Sequence, residues 1–232
     1  MTKQALDKKM SIDIDEMKKA GVFFGHKAYK CHPKMKQFIL GVRGSDHINI
    51  IDLDKTSQKL KEAIAFLSDL VKEKKIILFV GTGPGVQDIV KEAAINCKMP
   101  YVENRWIGGT ISNFETIKKR VDHLKDLEKK KQAGELQKYT KKEQLGFDKE
   151  TEDLNKKFGG IKTLEKYPDA LFIVDIDREK IAVKEGRAKG IPIVAIVDTN
   201  TDPSVIDYPI PANDDASSSV KYIVDKIVSV CS

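Results

Sequence analysis

The chain has 232 residues, with 41 Lys and Arg against 35 Asp and Glu, a net charge of +6 and 33% charged residues. That length supports one large domain, or a domain with an appendage, with a core that needs no staples. Three scattered cysteines (Cys31, Cys97, Cys231) argue against a disulfide framework and for a reducing cytosol. No apolar run approaches the ~18 residues of a membrane span, and the mild basic excess permits a polyanionic partner without demanding one.

The opening residues, MTKQALDKKM, lack the apolar core of a signal peptide, so no targeting segment is expected. Asp13 followed by Glu16 predicts a capping box, and Gly21 closes a short helix. QFILGVR (37–43) and HINIIDL (47–53) read as strands around the turn GSD. Residues 55–74 form an amphipathic helix with Leu60, Ala63, Ile64, Leu67, Leu70 and Val71 on one face. A buried strand over 76–80 runs into the turn Gly81, Gly83, Gly85, and a helix follows over 84–97. MPYVEN (99–104) is a short strand and RWIGGT (105–110) a tight loop.

Residues 111–158 differ in kind, being rich in Lys and Glu with sparse apolar positions. They read as two long antiparallel helices with a thin apolar seam, broken near QAGELQKYTKKE (132–143). Such a hairpin protrudes, because it has too little apolar surface to enter a core. Beyond it come a buried strand (ALFIVDID, 170–177), a helix over 178–189 and a second buried strand (IPIVAIVDTN, 191–200). A short strand (SVIDYPIP, 204–211) and a capped helix (214–230) end the chain. Alternating buried strands and helices predict a doubly wound, mainly parallel α/β sheet of Rossmann or flavodoxin type, with helices on both faces. The predicted division is a globular domain of residues 1–112 and 158–232, with an inserted coiled-coil hairpin over 113–157.

Several patterns could carry chemistry. Gly81 to Gly85 resembles a phosphate cradle, and Glu103 lies about twenty residues on, where a ribose-binding acid stands. However, the third glycine comes one position early and the Walker lysine is missing, so a plain strand-to-helix turn started by Pro84 is the competing reading. Asp175, Asp177, Asp198 and Asp202 fall at strand ends, where carboxylates could hold Mg²⁺ or simply cap turns; no nucleophile accompanies them. His26, Cys31 and His32 match no zinc spacing. No cofactor is expected. Residues 17–45 hold seven cations (Lys18, Lys19, Lys27, Lys30, Lys34, Lys36, Arg43), no acid, and the interleaved rings Phe23, Phe24, Tyr29 and Phe38. Cations neutralise phosphates and exposed rings stack on unpaired bases, so this segment reads either as an RNA footprint or as a solvated face. Arg105 and Trp106 stand beside a Gly-Gly turn that lets a partner approach the backbone.

Taken together, these blocks carry a resemblance. AGVFFGHKAYKCHPKMKQFILGVRGSDHINIIDLDKT, ILFVGT, YVENRWIGGTISNFETIKKR, YTKKEQL, GGIKTLEKYPDALFIVD, EKIAVKEGRAKGIPIVAIVDTNTDP and DYPIPANDDA occur in family order over nearly the whole chain. The chain resembles the family of the second protein of the bacterial small ribosomal subunit. The resemblance implies a non-catalytic, cytoplasmic, ribosome-bound constituent without a membrane partner. It would bind small-subunit rRNA near the head–body junction, contact neighbouring ribosomal proteins, and help dock the large mRNA-binding first protein. Lys18, Lys19, His26, Lys27, Lys30, Lys34, Lys36, Arg43, Arg105 and Trp106 are the expected RNA-contacting residues. The family commonly carries Trp-Asn where Cys31 and His32 stand, Arg at Tyr29, Asn at Glu103, and basic residues where Gly83, Pro84 and Gly85 stand. The rival readings are a nucleotide-dependent enzyme using Gly81–Gly85 and a protein-interaction scaffold working through the hairpin.

Overall fold

A computed structural model of the protein describes residues 12–231. The expectation about a leader in the first ten residues lies outside this range. A short helix α1 (Ile14–Ala20) leads into strands β1 (Phe24–Lys27), β2 (Ile39–Arg43) and β3 (Ile48–Ile51). Helix α2 (Leu53–Lys72), strand β4 (Ile77–Val80), helix α3 (Gln87–Asn96) and strand β5 (Tyr101–Val102) follow. Then come helices α4 (Phe114–Gln132) and α5 (Lys141–Phe158), β6 (Ala170–Val174), α6 (Lys180–Ala188), β7 (Ile193–Val197), β8 (Tyr208–Pro211) and α7 (Ser217–Cys231).

Five strands form a parallel sheet in the order β5-β4-β6-β7-β8. Counted within the sheet this is the flavodoxin order, with its topological switch point between β4 and β6. Every residue of β4, β6 and β7 is buried. Alternate side chains of these strands therefore serve two separate cores. Ile77, Phe79, Phe172, Val174, Val194 and Ile196 pack with α2, α3 and α7 on one face. Leu78, Val80, Leu171, Ile173, Ala195 and Val197 pack with α4, α6 and Trp106 on the other. This arrangement matches the doubly wound expectation.

β1, β3 and β2 form a small antiparallel sheet in that order. It docks at the carboxyl end of the main sheet, where the His32 N–H donates to the Thr199 carbonyl and the Asn213 N–H to the Val22 carbonyl. β1 escaped the sequence reading because FGHK has no alternation of apolar residues. The capping box expected at α1 is also only half formed. Asp13 caps the Asp15 N–H, but Glu16 turns to Lys226 of α7 at 3.3 Å. The complete box is at Thr140 and Glu143, at the start of α5.

α4 and α5 run antiparallel, bridged by Lys131–Asp148 at 2.7 Å and His123–Glu150 at 3.0 Å. The first half of α4 is not a thin seam. Phe114, Ile117, Val121 and Leu124 belong to the second core.

Phe172 lies at the sheet centre, fully buried, with its ring centroid 5.3 Å from that of Phe79. Phe172→Ala is expected to cost about 3–5 kcal/mol, read as a lowered urea midpoint at unchanged slope.

Candidate nucleic-acid interface

In an open α/β sheet the place for a ligand is the switch point outside the carboxyl ends of the strands. Here side chains of the chain itself fill it. The N–H and hydroxyl of Thr82 both donate to Glu179, and Arg178 Nε donates to Thr82 Oγ1 at 3.1 Å. The glycine turn is satisfied internally as well: the N–H groups of Val86 and Gln87 both donate to the Gly83 carbonyl. Gly81 is needed for packing, since a Cβ there would lie 2.7 Å from Val90 Cγ2. Glu103, the supposed ribose acid, is held by Lys91 of α3 at 3.1 Å. The phosphate-cradle reading is therefore corrected: the turn joins strand to helix tightly, and the acid beside it is ion-paired.

The basic N-terminal segment wraps the carboxyl rim of the sheet. His26 sits between two acids, with Nδ1 3.1 Å from Asp198 and Nε2 3.4 Å from Asp215. The hydrogen bond to Asp198 raises its pKa above 6.5; burial and Lys30 oppose this, and the charges of Asp198 and Asp215 add to it. Its backbone N–H donates to Thr199 Oγ1 at 2.9 Å. One ligand atom from each of His26, Asp198 and Asp215 lies within 4.8 Å of the others, so among the described residues this is the group suited to hold a cation. Cys31 and His32 are not part of it; the His32 Nδ1 accepts from the Lys34 N–H. Behind the rim, burial and the neighbouring acids Asp198, Asp175 and Asp215 push Asp214 up to about 9, so it is protonated at neutral pH.

The expected RNA-contacting residues divide by what they touch. Lys34 donates to Asp202 at 2.8 Å and to Ser204 at 2.6 Å, and Lys18 pairs with Asp15 at 3.3 Å. Lys19, Lys27, Lys30, Lys36, Arg43 and Arg105 are exposed and, among the described residues, have no carboxylate within 4.0 Å. Lys27 and Lys30 flank His26 and Tyr29 in one depression, while Lys18 and Arg43 line another with Phe23 and Leu40. Arg105 lines neither. Tyr29 is 79% exposed, Phe24 is 41% exposed and Phe38 lies in the core.

Trp106, one of the expected RNA-contacting residues, is only 5% exposed and packs in the second core. What holds its loop is a residue that sequence reasoning missed. Glu185 of α6, only 8% exposed, accepts the N–H groups of Gly109 at 2.7 Å, Ile111 at 2.9 Å and Ser112 at 3.1 Å. Burial alone would raise its pKa. The three backbone donors outweigh that and hold it below the model-peptide value of 4.5, with the Trp106 indole N–H adding from outside hydrogen-bonding geometry.

Two outcomes are expected. In chelator-treated protein, an NMR titration places the His26 pKa above 6.5, and Asp198→Asn lowers it. A raised folded pKa means that the His26 contribution to stability is complete below 6.5 and is lost as pH rises through the folded value. Glu185 has the opposite sign: its contribution is present above 4.5 and is lost as pH falls through its depressed folded pKa. Glu185→Gln should cost about 1–3 kcal/mol at pH 7, because buried N–H donors lose their charged acceptor. It should also flatten the acid limb of the stability profile measured by urea denaturation.

Residues 17–232 match the family model described as ribosomal protein S2. The small ribosomal subunit protein uS2 of Dictyoglomus thermophilum is 49% identical over 214 residues, covering 92% of this chain and 86% of the relative. Its counterparts in Koribacter versatilis and Hahella chejuensis are 45% and 42% identical; they cover 94% and 95% of this chain, and 71% and 86% of the relatives. The chain belongs to the ribosomal protein S2 family.

Proposed function

We propose that this protein is a structural constituent of the small ribosomal subunit that binds rRNA through its N-terminal basic segment. The reading rests on one observation: Lys19, Lys27, Lys30, Lys36 and Arg43 face solvent with no carboxylate partner among the described residues, and Lys27 and Lys30 share a depression with the exposed ring of Tyr29. Unpaired cations on a rigid scaffold neutralise phosphates without first breaking ion pairs. Tyr29 adds a stacking platform for an unpaired base. Arg105 extends the footprint along the loop that Glu185 anchors. Lys34 and His26 contribute less, since their charge is already spent on Asp202, Asp198 and Asp215.

Members of this family are structural and not enzymes, which removes the nucleotide-dependent rival. The finer placement follows the family resemblance: the head–body junction, contacts with neighbouring ribosomal proteins including the large mRNA-binding first protein, and residence on ribosomes in a bacterial cytoplasm. Residues 113–157 act as an inserted coiled-coil arm on the globular domain of 1–112 and 158–232. The bridges Lys131–Asp148 and His123–Glu150 and the polar outer faces support that role.

Gradient sedimentation of cell lysate tests the reading. The protein should co-migrate with small subunits and be released as salt rises. Lys30→Glu with Lys36→Glu should weaken association far more than Lys129→Glu with Lys130→Glu on α4, and reduce the salt slope by about two. Equal losses from the two pairs would remove the N-terminal segment as the main footprint.

A further inference from the structure

A second cationic surface lies outside the N-terminal segment. Between α6 and the loop after β7 runs a groove of about 450 Å³. Ile176, Val183 and Val205 give it an apolar floor. Lys180, Lys184 and Arg187 line one wall, spaced so that they share one face of α6. Lys180 is paired with Asp177 at 2.8 Å, but Lys184 and Arg187 have no carboxylate within 4.0 Å among the described residues. Arg187 Nη1 donates to the Val205 carbonyl at 2.6 Å, which fixes the guanidinium beside the floor and leaves its other donors free for an anion.

The opposite wall carries His32 and Asn200. The Asn200 Oδ1 is buried and has no hydrogen-bond partner. The groove is also continuous with the basic segment: His32 belongs to both, and Asp202 on the groove wall is neutralised by Lys34.

We propose that this groove seats one nucleotide of an RNA strand. Its phosphate lies on Lys184 and Arg187, and its sugar or base covers Val183 and Val205. The inference rests on the rRNA reading above and extends the footprint across the carboxyl rim to α6. An acidic peptide with an aromatic residue would also match this lining, but the groove's continuity with the basic segment through His32 and Lys34 favours a strand that runs across both. The occupant is therefore assigned as RNA.

The full chain is restored to small ribosomal subunits stripped of it, irradiated with ultraviolet light, and digested to locate nucleotide-bearing peptides. Adducts are expected within residues 180–187 or 199–205. Lys184→Gln loses no intramolecular ion pair, and it should weaken rebinding about threefold to tenfold and lower the salt slope by about one. Adducts at residues 27–36 with none in the groove, and wild-type affinity for Lys184→Gln, would overturn the groove while leaving the rRNA reading standing. Adducts at neither place would overturn both. A groove that cross-links to a neighbouring protein would overturn the nucleotide assignment.

Discussion

The constraint on which the structure depends is a parallel sheet covered on both faces. β4, β6 and β7 are buried at every position, so they can carry no charge, and polar function is displaced to the rims. At the carboxyl rim the chain places acids, and each has a structural partner. Asp198 holds His26, Asp202 holds Lys34, and Asp175 accepts the N–H of Arg178. The N-terminal segment is thus fastened to the rim by two of its own side chains, His26 and Lys34. The rest of its cations face outward, so anchoring and recognition fall to different members of one basic cluster.

Two buried glutamates explain why a nucleotide fold can work without a nucleotide. Glu179 accepts the Thr82 N–H at the switch point, and Glu185 accepts three N–H groups of the loop before α4. Backbone donors at such turns are what phosphates use in nucleotide-binding members of this architecture. Here two carboxylates of α6 and its N-cap, Glu185 and Glu179, accept from those donors. Glu179 closes the switch point, and Glu185 braces the Arg105 loop against α6.

The main sheet was legible in the sequence because its strands are continuous apolar runs, and the helices because α2 and α7 keep a strict apolar face. What escaped was set by contacts distant in sequence. Lys34 reads as a free cation until Asp202 comes within 2.8 Å, and Glu103 reads as a ribose acid until Lys91 claims it. Trp106 stands beside two glycines in a polar loop, and nothing local says that α4 and β6 will close over it. Glu185 could have been singled out, since it is an acid on the apolar face of α6 beside Ala182 and Gly186, all of them buried. A charge on the buried side of an amphipathic helix signals a partner waiting elsewhere.

These pairings also change what the net charge means. A value of +6 on 232 residues looks too mild for an RNA-binding surface. Yet the acids at the carboxyl rim are consumed inside the protein: Glu179 and Glu185 by backbone donors, Asp198 by His26, and Asp214 by its own proton. Lys27, Lys30, Lys36 and Lys184 have no such internal claim among the described residues. The potential that a polyanion would meet is set by the charges left exposed at the surface, so the surface beside these lysines is more basic than the composition suggests.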